Sequence, residues 1–146
     1  MEVHVRNARL TDLDASVRIL AHDDEHRGRD EADYLRNLLF LPSATVLVAE
    51  AQRRIVGLGV LAIRPSVHSG PFVGVIDDLG VVRAGEPDGA DRELIADHLV
   101  EHLVASARNK GCTRVEVAEP LASAEPALWK RVGFASRGPT LSRAIG

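Results

Sequence analysis

The chain has 146 residues, 45% of them hydrophobic and 27% charged, which is typical of a folded globular protein and excludes a disordered chain. Lys and Arg total 18 against 21 Asp and Glu, and only 3% of residues are aromatic, so the sequence lacks the basic, aromatic surface that nucleic-acid binding requires. The single cysteine, Cys112, excludes an intramolecular disulfide and a metal site with several cysteine ligands.

The first part of the chain predicts one strand followed by two helices. Apolar and polar residues alternate over 3–8, which indicates a strand. Thr11 with Asp14 resembles a capping box, and the apolar positions after it fall at helical spacing. A polar stretch over 22–30 separates this helix from a second one, which the leucines and the tyrosine of 34–39 indicate.

The middle of the chain predicts three strands, over 44–50, 55–63 and 72–82. The run 55–63 is almost continuously apolar, as expected of a central strand that is covered on both faces. Glycines within this run indicate close packing or a bulge.

After residue 94 the apolar spacing changes to that of a long helix, which Gly111 ends. A short strand over 114–118 and a short helix over 125–132 follow, and one or two final strands begin at Phe134. This order of elements predicts an α/β (α+β) fold, a mixed sheet with helices on both faces.

Three stretches resemble a known family. GVIDDLGVV, at 74–82, resembles the family's fourth strand with its acidic residue, and 81–94 is placed like its pyrophosphate loop and following helix. ALWKRVGF, at 127–134, resembles the closing pattern Ala-Leu-Tyr-x-x-x-Gly-Phe. The chain thus resembles the GNAT superfamily of acyl-CoA-dependent N-acyltransferases over essentially all of 1–146, as a single domain. The resemblance implies a mostly antiparallel, twisted sheet of six to seven strands flanked by about four helices.

The resemblance implies acetyl transfer from acetyl-CoA to a small-molecule amine, with no metal. Asp77 and Asp78 are the candidate catalytic residues, and Asp77 stands where relatives often hold a catalytic Glu. Because neighbours on a regular strand point to opposite faces, we expect one of the two to face the cleft. There it acts as a base through water or attracts the ammonium group. The alternative is a strand-end charge that is solvated or paired with an arginine.

The resemblance also assigns residues to the cofactor. The backbone of Val81 and Val82 meets the pantetheine arm, and the pyrophosphate lies over a loop that opens a helix, a position where free N–H groups favour anions. The loop consists of Glu86, Pro87, Asp88, Gly89, Ala90, Asp91 and Arg92. Only Gly89 fits the family's glycine-rich pattern; Pro87 lacks an N–H, and three carboxylates oppose an anion. Alternatively, Asp88 or Asp91 caps the helix itself.

A further departure is Trp129, which stands where the family's tyrosine often serves as general acid. An indole N–H donates a hydrogen bond but is not a usable proton source. The alternative interpretation is that Trp129 packs on the sheet and anchors the short helix.

Several histidines and acids near these stretches have two interpretations. The cluster over 22–26 favours a cationic acceptor if it borders the acceptor site, and is otherwise a solvated loop. His68 either reaches the cleft mouth or lies on the surface. His98-x-x-Glu101-His102 matches a zinc-peptidase pattern, but helical rotation puts it on the polar face as a solvent-facing row.

Two functions follow as hypotheses: an N-acetyltransferase of a small amine, or a non-catalytic GNAT-like binding or interaction module that has lost efficient use of CoA. The intact fold pattern and the pair Asp77–Asp78 favour the first, and the altered loop and Trp129 favour the second. A homodimer is possible because the closing strands can pair across a two-fold axis.

The longest apolar run, 55–63, is far shorter than the roughly 20 residues that span a bilayer, and no apolar signal core opens the sequence. We therefore expect a cytoplasmic protein.

Overall fold

A computed structural model describes residues 2–21, 25–82, 89–138 and 141–145, with the side chains of 21, 25–29 and 89–90 left out of the description. The elements in chain order are β1 (His4–Asn7), a 3-10 helix (Leu10–Asp12), α1 (Leu13–Ala21), α2 (Glu25–Leu38), β2 (Ala44–Ala51), β3 (Arg54–Pro65), β4 (Phe72–Val81), α3 (Gly89–Asn109), β5 (Cys112–Val117), α4 (Leu121–Ala124) and α5 (Pro126–Arg131).

The five strands form one sheet in the order β1-β2-β3-β4-β5. The pairs β1–β2, β2–β3 and β3–β4 are antiparallel, and β5 runs parallel to β4. Parallel neighbours need a crossover connection, which α3 provides. The predicted mixed, mostly antiparallel sheet is confirmed.

The strand count is lower than predicted, because 134–138 and 141–145 form no strand. Phe134 instead closes the end of α5: its N–H donates to the carbonyl oxygen of Trp129 at 2.8 Å, and the two rings meet edge to face at 5.5 Å. The apolar character that indicated a strand is therefore used to pack a helix end. A second difference is that α2 begins at Glu25, inside the stretch predicted as a polar connection.

The core lies on both faces of the sheet. On one face α3 packs against the strands, and a Cβ on Gly59 would lie only 2.8 Å from Cδ1 of Leu103. The predicted close packing at this glycine is confirmed, since any larger residue would force the Leu103 side chain of α3 to shift. On the other face α1 and α2 cover Val48, Leu58 and Val60. In the part of the chain described, no helix has the length and apolar character to cross a membrane.

A partly buried ion pair attaches the start of α1 to the sheet. The guanidinium of Arg6 on β1 donates to both carboxylate oxygens of Asp12, at 2.7 and 3.0 Å, and to Glu50 on β2 at 3.1 Å. The backbone N–H of Arg9 also donates to Asp12, at 2.8 Å. These hydrogen bonds from Arg6 hold the pKa of the Asp12 carboxyl below its usual range. The predicted capping pair was Thr11 with Asp14. In the structure, Asp12 is the side chain that accepts hydrogen bonds at the start of this helix.

Ser16 of α1 leads to a stability prediction. Its side chain is fully buried, and within the described part of the chain its Oγ has no hydrogen-bond partner. A buried, unsatisfied hydroxyl is costly, and Ala is the better helix former. Ser16→Ala is therefore expected to raise the free energy of unfolding in urea by about 1 kcal/mol. The exposed Ser43→Ala is the control, and equal changes in both variants would contradict the prediction.

Candidate active site

The site is built where β4 parts from β5. The pairing of the two strands covers Phe72 to Ile76, and the N–H of Ala118 donates to the carbonyl oxygen of Ile76 at 3.0 Å. Beyond that point the described residues supply no partner to β4 on this side, although β4 remains paired with β3 as far as Val81. The second half of β4 therefore has one open backbone edge in the middle of the sheet.

A β-bulge lies where the opening begins. Ile76 pairs with Leu61 of β3 and Asp78 pairs with Val60, so Asp77 is the extra residue of β4. Both aspartates are exposed. The sequence-based expectation that they face opposite sides assumed a regular strand, and a bulge interrupts that alternation and redirects side chains.

The hydrogen bonds to β3 determine which backbone groups of β4 lie on the open edge. The N–H of Val82 donates to the carbonyl oxygen of Val56 at 2.9 Å. In an antiparallel pair, alternate residues point their N–H and C=O groups to opposite sides, so those of Leu79 and Val81 point to the open edge. Of the two predicted pantetheine contacts, Val81 thus lies on the open edge, whereas the N–H of Val82 is engaged with β3.

A cleft of about 330 Å³ lies beside this part of β4, between α2 and the sheet. Four aliphatic side chains, one tyrosine and three carboxylates line it: Leu20, Leu35, Leu38, Val60, Tyr34, Asp30, Glu31 and Asp78. Asp78 is directly opposite Val60 in the sheet, so the cleft reaches the strand at the bulge. The open backbone edge and an acidic, partly apolar cleft therefore meet at the same short segment of β4.

The contribution of α2 to this cleft was not predicted from the sequence. The acidic acceptor contacts were expected over 22–26, of which 22–24 and the side chains of 25 and 26 lie outside the described residues. The signal was nevertheless present, because Glu31, Tyr34, Leu35 and Leu38 follow the i, i+3, i+4, i+7 spacing of one helix face.

Comparison with known proteins identifies the family. The sequence matches the model of the acetyltransferase (GNAT) family over residues 10–134. The chain belongs to the GNAT acetyltransferase family. No functionally curated protein matches the sequence.

Several solved structures have the same fold as this chain. A transcriptional regulator from Bacillus halodurans C-125 has a TM-score of 0.77 and 20% identity, covering 99% of this chain and 100% of that one. A ribosomal-protein-alanine N-acetyltransferase from Brucella melitensis has a TM-score of 0.75 and 19% identity, with coverages of 99% and 100%. An aminoglycoside N-acetyltransferase in complex with CoA has a TM-score of 0.80 and 15% identity, with coverages of 99% and 95%. At these identities the likeness shows the GNAT fold.

The segment at the place of the GNAT pyrophosphate loop is described only in part. Glu86, Pro87 and Asp88 lie outside the described residues, and α3 begins at Gly89 with Asp91 in its first turn. Arg92 is half-buried, and its Nε has no hydrogen-bond partner among the residues described. The positively charged Arg92 thus lies in the first turns of α3, the end of the helix that corresponds to the GNAT pyrophosphate loop.

Trp129 occupies the GNAT tyrosine position as a packing residue. It is 5% exposed and joins the core cluster beneath α3. Its Nε1 donates to the carbonyl oxygen of Leu121 at 3.2 Å, so the one polar group of the indole is bonded within the chain. The geometry supports the interpretation of Trp129 as an anchor of α5.

Trp129→Phe tests this interpretation. The variant loses the bond to Leu121 and part of the buried volume, so we expect the free energy of unfolding to fall by about 2 kcal/mol. We expect kcat/KM of the folded variant to change less than about twofold, since no proton passes through the indole. Urea unfolding and initial rates measure the two effects, and a large loss of kcat with little loss of stability would contradict the packing role.

The remaining motifs do not assemble with the cleft. Nδ1 of His102 lies 2.8 Å from the carbonyl oxygen of His98 one turn earlier, and Glu101 is exposed. Among the described residues, no group of three or more His, Cys, Asp or Glu side chains is arranged to hold a metal ion. Burial raises the pKa of the Cys112 thiol, which disfavours the nucleophilic thiolate, and His68 is exposed.

Proposed function

We propose that this protein is an acetyl-CoA-dependent N-acetyltransferase of a small amine. The observation that carries the proposal is the meeting of the open β4 edge with an acidic cleft at Asp78, next to the bulge residue Asp77. Membership of the GNAT family supports it. Neighbours described as aminoglycoside and ribosomal-protein-alanine N-acetyltransferases, one of them bound to CoA, add support for an amine acceptor.

The chain offers two sets of groups to acetyl-CoA. The N–H and C=O groups of Leu79 and Val81 suit the amides of a pantetheine arm, as an added strand would. The start of α3, with Arg92, suits the pyrophosphate through its N–H groups and the positive end of the helix dipole. Acetyl-CoA supplies an acetyl group activated as a thioester.

Asp78 is the carboxylate that we assign to the amine. It lines the cleft, whereas Asp77 is the bulge residue beside it. Because a carboxylate is a much weaker base than an alkylamine, Asp78 holds the ammonium group and passes its proton to water. The neutral nitrogen then forms a bond to the acetyl carbonyl carbon as the carbon–sulfur bond breaks, and a second nitrogen proton passes through water to the leaving thiolate. The products are the amide, the CoA thiol and one released proton.

Calorimetric titration with acetyl-CoA at low and moderate salt tests the proposal. We expect one site with micromolar affinity that weakens as salt rises, since the pyrophosphate is an anion. Absence of binding even at low salt would overturn the proposal and favour the non-catalytic module.

Asp91→Asn checks where the pyrophosphate lies. Removing an anion from the first turn of α3 is expected to tighten acetyl-CoA binding about threefold, because the carboxylate opposes the phosphate charge. Asp14→Asn, in the first turn of α1, is the matched control. Equal affinities in both variants would place the pyrophosphate away from α3.

A further inference from the structure

A buried glycine of β3 lies between α3 and the half of β4 whose edge is open. This residue, Gly57, is directly opposite Val81 in the sheet. A Cβ at this position would lie 2.8 Å from Cδ1 of Leu99, 2.9 Å from Cγ2 of Ile95 and 3.3 Å from the carbonyl oxygen of Gly80. Carbon atoms in favourable contact are about 3.5–4.0 Å apart. A side chain at position 57 would therefore press on the helix and on β4 at once.

The contact between this glycine and Ile95 of α3 is a rigid one. Cγ2 of Ile95 is bonded directly to a branched Cβ, and such a side chain has one strongly preferred χ1 rotamer in a helix. Ile95 is also fully buried in the core. Because the methyl group cannot turn aside, a larger residue at position 57 would displace the helix itself.

Gly59, two residues further along β3, differs in this respect. A Cβ there would also lie 2.8 Å from an atom of α3, but that atom is Cδ1 of Leu103, the far end of a longer side chain. A rotation of the Leu103 side chain can relieve the contact without movement of the helix. The two glycines therefore lie on the same strand and the same face of the sheet, but only Gly57 controls how closely α3 approaches.

The two parts of the proposed acetyl-CoA site meet at Gly57. Val81, its partner in β4, directs its backbone groups to the open edge proposed for the pantetheine arm. Ile95 lies within the first two turns of α3, close to the end proposed for the pyrophosphate. These two groups of the cofactor are covalently linked, so the gain from making both contacts depends on the distance between the two parts.

We propose that Gly57 is a positioning residue that sets the spacing between the open edge of β4 and the start of α3. The inference rests on the proposed function. Without a side chain at position 57, α3 packs directly against β3 and β4, and one cofactor molecule reaches both the open edge and the helix start. A methyl group at this position moves the helix away from the strand, and one of the two contacts is then weakened.

Calorimetric titration with acetyl-CoA compares Gly57→Ala with the matched control Gly59→Ala. We expect Gly57→Ala to weaken binding about tenfold, because the linked cofactor no longer fits both parts of the site. Gly59→Ala is expected to stay within about twofold of the unchanged protein, since only Leu103 is displaced. Equal affinities in the two variants would overturn the proposal.

ADP distinguishes altered spacing from damage to the helix start, because it carries a diphosphate but no pantetheine arm. We expect Gly57→Ala to bind ADP as the unchanged protein does, as measured by NMR titration. A loss of ADP affinity as large as that of acetyl-CoA would show that the helix start itself is altered, and would contradict the spacing role.

The double variant Gly57→Ala/Ile95→Ala removes the methyl group that the new Cβ meets. We expect its acetyl-CoA affinity to return to within about threefold of that of the unchanged protein, although loss of the buried Ile95 side chain lowers stability. A general loss of stability would not produce such a recovery. A folded double variant that binds as weakly as Gly57→Ala would contradict the proposal. If Gly57→Ala does not fold, the double variant decides alone, and its failure to bind would overturn the proposal.

The outcomes separate this inference from the proposed function. If acetyl-CoA binds the unchanged protein, Gly57→Ala and Gly59→Ala equally, the proposed function stands and the role of Gly57 is wrong. If acetyl-CoA does not bind the unchanged protein, the proposed function fails and the positioning role fails with it.

Discussion

Asp78→Asn is expected to lower kcat/KM about 100-fold, as removal of a group that orients and deprotonates an amine typically does. The amide keeps the shape of the side chain but neither holds an ammonium charge nor accepts its proton. Release of the CoA thiol, followed at saturating acetyl-CoA, measures the loss. Acetyl-CoA affinity is expected to stay nearly constant, because the carboxylate lines the cleft on the acceptor side.

Asp77→Asn is the variant to compare with Asp78→Asn, since it removes the same charge one residue away, at the bulge. We expect a smaller loss than in Asp78→Asn. The reverse order would assign the proton transfer to Asp77, as the resemblance alone suggests, and would contradict our assignment. The exposed Asp33→Asn controls for the change in net charge.

Asp12→Asn is expected to lower the free energy of unfolding by about 2 kcal/mol, because it removes the charge-assisted hydrogen bonds of a partly buried ion pair while Arg6 keeps Glu50 as a partner. The guanidinium of Arg6 stays in place with its side chain only 16% exposed and loses its principal acceptor. For a chain of this length the loss corresponds to a fall in Tm of roughly 4–8 °C. Calorimetry measures it, and Asp14→Asn, in the exposed first turn of α1, is expected to lie within about 0.5 kcal/mol of the unchanged protein.

The same pair predicts how stability depends on pH. Arg6 lowers the pKa of Asp12 in the folded state, so the unfolded chain binds the proton more tightly. The stabilisation is complete above the unfolded pKa, about 4, and is lost as the pH falls through the lower folded value. The difference in stability between the unchanged protein and Asp12→Asn should therefore shrink from pH 5 downward. A difference that stays constant down to about pH 2 would show that the charge of Asp12 is not what stabilises the fold.

Local patterns in the sequence were sufficient for most of the fold. The apolar run that became β3, the helical spacing that became α3 and the family pattern around Trp129 each depend on residues close together in the chain. The glycines of β3 were interpreted correctly because close packing of a helix leaves few alternatives to glycine. The strands expected after Phe134 were wrong, since a strand needs a neighbouring edge as well as apolar residues, and Phe134 packs against Trp129 instead.

The sequence by itself determined the family resemblance, the mixed sheet and the acidic pair Asp77–Asp78. Tertiary structure decided which carboxylates share a cleft, because Asp30 and Asp78 are far apart in the chain and meet only when α2 packs beside β4. It also placed a bulge at the acidic pair, since a bulge is a property of the pairing between two strands and not of one strand. The periodicity of apolar residues in the sequence indicates which face of a helix or strand is buried. The functional site depends on which helices and strands contact each other, and tertiary packing determines those contacts.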